Sequence, residues 1–154
     1  MVLFDGPGAT NTERVLQVVR EQGKALGLNT CVVATTRGNT ALLALEVLAG
    51  FRLVAVAHCA GFAEANQQEL PEQARRRLEQ AGAKVLTATH ALGGVGRAVR
   101  LRFNTYELEE LIAQTLRLFG QGTKVAVEIA LMAADAGLIP SGEPVISVGG
   151  TKEG

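Results

Sequence analysis

NTCVVATTRGNTALLALEVLAG, residues Asn29 to Gly50, is the stretch whose reading decides the fold. It opens with the β-branched run Thr30-Cys31-Val32-Val33, which reads as a buried strand. A polar turn follows, Thr35-Thr36-Arg37-Gly38-Asn39, and Thr40 leads into a helix to about Leu48. That helix is apolar nearly all round, so it is expected to be covered on more than one side. Strand, short polar turn and helix together aim free backbone N–H groups and a positive dipole end at one spot, which suits phosphate or another anion. Arg37 and the hydroxyls of Thr35, Thr36 and Thr40 are donors of the right type. The competing reading is an ordinary helix cap, with Thr36 or Asn39 satisfying orphan amides.

Outward from this stretch the chain alternates strands with helices. Thr10-x-x-Glu13 has the form of a capping box, and a helix is predicted from about Asn11 to Leu26, burying Val15, Val18, Val19 and Leu26 and stopping at Gly27. Leu53 to Ala57 is a second strand without polar alternation, as expected where helices cover both faces of a sheet. A long loop from His58 reaches Leu70, and Pro71 starts a helix to about Ala81 that buries Ala74, Leu78 and Ala81. Ala83 to Thr89 is a third strand, followed by the glycine-rich turn His90 to Gly96. Arg97 to Phe103 fits neither pattern. Asn104-x-x-Glu107 is expected to cap a helix whose Leu108, Leu111, Ile112, Leu116 and Phe119 recur at helical spacing. Gly120-Gln121-Gly122 breaks it. A largely apolar helix from Thr123 to about Ala136 and a last strand, Pro144 to Val148, complete the chain. The sum is an α/β fold of three layers, α/β/α, around a mostly parallel sheet, in a single domain over residues 1–154.

Composition narrows the function classes. The 154 residues are 47% hydrophobic and 19% charged, so the chain is globular rather than disordered. Fifteen basic residues balance fifteen acidic ones, which gives no electrostatic reason to expect nucleic acid or a membrane surface. One Tyr and no Trp leave no stacking platform for bases. No apolar run is long enough to span a bilayer, and the N-terminus lacks the pattern of a secretory signal. Cys31 in a core strand and Cys59 in a loop point to a reducing compartment without a structural bridge, so a cytoplasmic location is expected.

In an open parallel sheet, ligands sit beyond the carboxyl ends of the strands, where strand order reverses. The four strand ends here are Thr35–Thr40, His58–Phe62, Thr89–Gly94 and Gly149–Lys152. The candidate binding residues are therefore Thr35, Thr36, Arg37, Gly38, Asn39, Thr40, His58, Ala60, Gly61, Phe62, Thr89, His90, Ala91, Gly93, Gly94, Gly149, Gly150 and Thr151. His58 and His90 are the only histidines, each directly after a strand. No Asp or Glu stands out as an orienting partner for either, and two histidines lack the third ligand that catalytic zinc uses, so no metal and no catalytic residue is assigned. Gly93-Gly94-x-Gly96 does not match the dinucleotide fingerprint. Arg75, Arg76 and Arg77 read as a solvated face beside Glu72 and Glu79. Arg97, Arg100 and Arg102 read as a surface patch or subunit contact, and Lys124, Glu128 and Asp135 as the polar stripe of the last helix.

The segments ATTRGNTALLALE, LVAVAHCAGF, TATHALGGVGRAV and LRLFGQGTKVAVEIALMAADAGLIPSGEPVISVGGT resemble stand-alone microbial proteins related to the C-terminal α/β domain of pyruvate kinase. The resemblance covers essentially the whole chain. It implies a sheet of order 3-2-1-4-5 with the fifth strand antiparallel, which sets Thr35–Thr40 and Gly149–Lys152 on either side of one crevice. In some relatives the loop matching Thr35–Thr40 binds the phosphate of an allosteric sugar bisphosphate. The order here is Arg37-Gly38 rather than Gly-Arg, so that sugar ligand is not carried over. The barrel that holds the kinase site has no counterpart in these residues. The resemblance also implies that stand-alone members can hold flavin mononucleotide (FMN). Relatives continue past the Gly-Gly-Thr turn, so a site open on that side, or an incomplete version of the protein, is expected.

Three functional readings follow. The leading one is a binding domain for a phosphorylated small molecule, FMN first among candidates, with phosphate on the amides of Arg37 to Thr40 and the ring over Ala60–Phe62 and Ala91–Gly94. The second is an enzyme using flavin or the two histidines. The third is an oligomeric interaction module, because two nearly all-apolar helices ask for more cover than a small domain supplies.

Overall fold

The computed structural model describes residues 2–151. Its elements are α1 (Thr12–Leu26), β1 (Thr30–Ala34), α2 (Asn39–Val47), β2 (Arg52–Ala57), α3 (Glu72–Gln80), β3 (Lys84–Thr87), α4 (Val95–Phe103), α5 (Leu108–Arg117), α6 (Gln121–Asp135) and β4 (Ile146–Val148). Among the described residues the sheet has four strands, all parallel, in the order β3-β2-β1-β4. This is the expected 3-2-1-4 order; a fifth strand is not among the described elements.

Strand periodicity divides β1 between two cores. Cys31 and Val33 face one side, joining Leu16 and Val19 of α1, Ala41 and Ala44 of α2, and Leu78 of α3. Burial there pushes the Cys31 thiol up to about 12. Val32 faces the other side, against Ile129, Met132 and Ala133 of α6. Helices thus cover both faces of the central strands β1 and β2, whose buried residues are all apolar, while the edge strands β3 and β4 are only half-buried. The largely apolar α2 finds its cover within this chain, wedged between α1, α3 and the sheet.

Several local expectations are corrected. Thr10 does not cap α1: a 3-10 turn, Ala9–Asn11, precedes the helix, and the Asn11 amide side chain donates back to the Gly6 carbonyl at 2.6 Å. Leu26 is 65% exposed because α1 buries the stripe through Leu16, Val19 and Gly23. Ala81 is exposed, since it lies past the end of α3. Arg97 to Phe103 is helical, and Asn104 ends that helix in a left-handed conformation (φ 54°) instead of starting the next one. The preceding helix does break before Gly120-Gln121-Gly122, ending at Arg117, but Gln121 and Gly122 already belong to α6.

The largest departure is α5. Its apolar positions Leu108, Leu111 and Ile112 are exposed, as is Phe119 just beyond it, whereas Glu110 and Ala113 are buried. Glu110 is drawn inward by Arg100 of α4, whose Nε donates to its carboxylate.

Candidate functional site

Two tight backbone features shape the carboxyl edge of the sheet. Gly38 (φ 96°) turns the chain from β1 into α2, and a Cβ there would lie 2.8 Å from that of Ala74. Its N–H donates to Thr35 Oγ1 at 3.1 Å, so Thr35, not Thr36 or Asn39, closes this turn. The first helical bond runs from Leu42 N–H to Gly38 O, leaving the amides of Asn39, Thr40 and Ala41 without an acceptor among the described residues. Across the edge, a Cβ on Gly149 would meet Ala126 N and Gly122 O, both at 2.6 Å. Only glycine lets the first turn of α6 sit so close to the end of β4, and Ser147 Oγ pins the contact by donating to Ala126 O at 2.7 Å.

Between these features opens a cavity of about 920 Å³. Thr35, Thr36, Arg37, Asn39, Thr40, His58, Phe62, His90, Gly93, Gly149, Gly150 and Thr151 line it. Three of the four strand ends therefore meet the fourth in one hollow; Lys152 lies outside the described residues. The other candidates do not line it. Gly38 faces Leu70 and Ala74, Ala60 and Gly61 sit on the exposed part of their loop, Thr89 and Ala91 point to solvent, and Gly94 packs on Thr89. A ring spread over Ala60–Phe62 and Ala91–Gly94 would thus find only Phe62, Leu92 and Gly93 on the wall.

Other walls went unassigned in the sequence. Residues of the N-terminal segment, among them Leu3, Phe4 and Pro7, cover one side. On the opposite side Lys124 and Glu128, expected on a solvated stripe with Asp135, are buried at 6% and 3% exposure. Lys124 Nζ donates to Glu128 Oε2, and Glu128 Oε1 accepts the Leu92 N–H at 2.9 Å. Asp135 alone of the three is exposed, because α6 turns its Lys124–Glu128 edge to the glycine-rich turn after β3. A Lys/Glu pair four apart in an otherwise apolar helix was the signal that could have revealed it.

Arg97 and Arg100 also line the cavity, in place of the surface patch expected of them; Arg102 remains exposed. The Arg97 guanidinium lies 4.6 Å from the centroid of the Phe62 ring, which in turn packs 4.0 Å from His58 and 4.9 Å from His90. The two imidazoles stand edge to face, 5.2 Å apart. Burial holds His90 below its ordinary value, against the pull of the Glu128 carboxylate; His58, Lys124 and Arg97 push the same way as burial. His58 has an acidic partner that the sequence left unnamed: its Nδ1 lies 2.6 Å from Glu69 Oε2. The solvated face expected of α3 holds for Arg76, paired to Glu72, and for Arg77; Arg75, besides pairing with Glu79, is half-buried and donates to Thr87 Oγ1 of β3.

The profile of the pyruvate kinase alpha/beta domain matches residues 13–154. The chain belongs to that family. A second likeness is confined to backbone. An NH3-dependent NAD synthetase from Campylobacter jejuni subsp. jejuni NCTC 11168, solved in complex with the nitrate ion, is 14% identical with a TM-score of 0.46. It covers 84% of this chain, which spans only 52% of the synthetase chain, and so weak a likeness says nothing of chemistry. The family match begins at residue 13, so the N-terminal wall of the cavity, residues 2–8, lies outside the matched region. Among the described residues no helix is long and apolar enough to cross a membrane.

Proposed function

We propose that this family member is a binding domain for a phosphorylated small molecule, with FMN the leading candidate. One observation carries the reading. In a chain of zero formal charge, Arg97, Arg100, Arg117 and Lys124 face a single hollow that, among the described residues, holds two carboxylates, Glu110 and Glu128. Those carboxylates are already taken by Arg100 and Lys124. Cations concentrated in a concave, partly apolar site draw in an anion. The amides at the start of α2, with Thr36 and Thr40 beside them, supply a place for a phosphate. Phe62, His58 and His90 supply a wall for a flat ring, and the volume falls in the range of small-molecule sites.

Equilibrium dialysis against FMN tests this, with inorganic phosphate as competitor. Retention at micromolar FMN, relieved by phosphate and weakened about tenfold by Arg97→Ala, is expected. No retention of FMN at millimolar concentration, and no effect of phosphate, overturns it.

We also infer that the protein forms oligomers of itself. The support is not the two apolar helices singled out in the sequence, since α2 is covered within the chain and α6 lies on the sheet. It is the outer surface of α4 and α5 with the residues just beyond them, where Leu101, Phe103, Leu108, Leu118 and Phe119 are each about 70% exposed or more. Sedimentation equilibrium at several concentrations tests it; a monomer throughout contradicts it.

A further inference from the structure

Glu69 does not line the cavity, whereas His58, hydrogen-bonded to it, does. A carboxylate 2.6 Å from Nδ1 accepts a proton held there, which fixes the neutral imidazole with its lone pair on Nε2, the far edge of the ring. Nε2 meets no hydrogen-bonding partner among the described residues, although the ring is wedged against Phe62 and beside His90. The loop carrying this pair is itself braced: Gln68 Nε2 donates to His58 O at 2.9 Å, and Gln68 Oε1 accepts the Leu70 N–H at 3.0 Å. The bracing holds the backbone at His58 and Leu70, on either side of Glu69, and sets its carboxylate behind the imidazole. A base whose second nitrogen is held by a carboxylate, with its lone pair unspent at the wall of a hollow, is the arrangement proton transfer requires.

We propose that His58 is a general base facing this cavity, positioned by Glu69, and that its substrate is a flat or phosphorylated small molecule bearing an acidic C–H or O–H. In the step, the Nε2 lone pair takes the proton and forms an N–H bond. The electron pair of the broken bond stays on the substrate, as an anion that Arg97 is placed to stabilise. The imidazolium formed keeps its Nδ1–H on Glu69, whose negative charge offsets the new positive one. No oxidant or reductant is consumed. The proposal rests on the cavity being a small-molecule site, but not on the bound molecule being FMN.

The probe is 5-nitrobenzisoxazole, a flat molecule that reports a positioned base without a co-reactant. Loss of its ring C–H proton to the base makes a nitrile, breaks the N–O bond and releases a coloured phenolate. Turnover about 10²–10⁴-fold above free imidazole at equal concentration is expected. His58→Gln is expected to bring it down to that of imidazole, and Glu69→Gln to lower it at least tenfold. A merely structural role for Glu69 is excluded by a second readout. The ¹⁵N spectrum of the wild-type protein, with only two histidines to assign, places the His58 proton on Nδ1, and Glu69→Gln mixes the tautomers. Turnover no faster than free imidazole, undiminished turnover in a folded His58→Gln protein, or a proton on Nε2 in the wild type overturns the proposal. FMN dialysis on the same samples separates the two ideas: retention with no turnover sinks the base alone, and turnover without retention sinks only the ligand.

Discussion

Helices α2 and α5 make opposite use of their apolar residues. The first is apolar on nearly every side and finds cover on nearly every side, because it enters between α1, α3 and the sheet. The second has an apolar stripe as regular as any in the chain, and turns it outward. Its inner face holds Glu110 and Ala113, and Glu110 meets Arg100. The contrast shows that a periodic stripe defines a face without saying what that face meets. In α2 the cover comes from α1, α3 and the sheet. In α5 the inner face packs on α6 and meets α4 through the Arg100–Glu110 pair, which an apolar repeat does not announce.

The sharpest way to break the contrast is to attack the inward-turned charges. Glu128→Ala strands Lys124 in a buried position and removes the acceptor of the Leu92 N–H, so a loss of about 3–5 kcal/mol is expected in denaturant titration. A loss below about 1 kcal/mol would mean that Lys124 finds water instead. Next comes the apolar layer that α2 shares: Leu16→Ala removes a side chain with 0% exposure and is expected to cost about 2–5 kcal/mol. A smaller effect follows pH. Burial keeps His90 below its ordinary value of 6.5, so the unfolded chain binds that proton more readily. His90's contribution is fully present above about pH 6.5 and falls as pH drops through that value toward the folded-state one, and His90→Gln flattens this slope. Smallest is α5: Leu108→Ala, at 71% exposure, is expected to change monomer stability by no more than about 0.5 kcal/mol. The same substitution shifts the sedimentation equilibrium if a second copy covers that surface.

The sheet was legible because its strands are short apolar runs bounded by glycine and proline, and parallel strands enclosed on both faces leave that mark. Strand order 3-2-1-4 came from the family resemblance, not from periodicity. The strand ends that line the cavity were legible by position, since Thr35, His58 and Gly149 directly follow β1, β2 and β4, while β3 stops at Thr87 and His90 lies three residues beyond it. What stayed hidden depends on contacts far apart in sequence. Glu69 reaches His58 across 11 residues and Leu92 reaches Glu128 across 36. Asn104 was misread because its short polar side chain suits a helix start and a left-handed helix end equally well. Gly38 was grouped with ligand-binding residues, yet its N–H serves Thr35 and its Cα faces Ala74.

The central claim is that the amides opening α2 and the cations across the hollow receive a phosphate. Titrating ¹⁵N-labelled protein with FMN, and separately with inorganic phosphate, tests it at the level of single N–H groups. Saturable shifts of Asn39, Thr40 and Ala41 with both, joined by the Arg97 side chain with FMN alone, are the predicted result. Unmoved amides at those three positions at millimolar ligand would contradict the account.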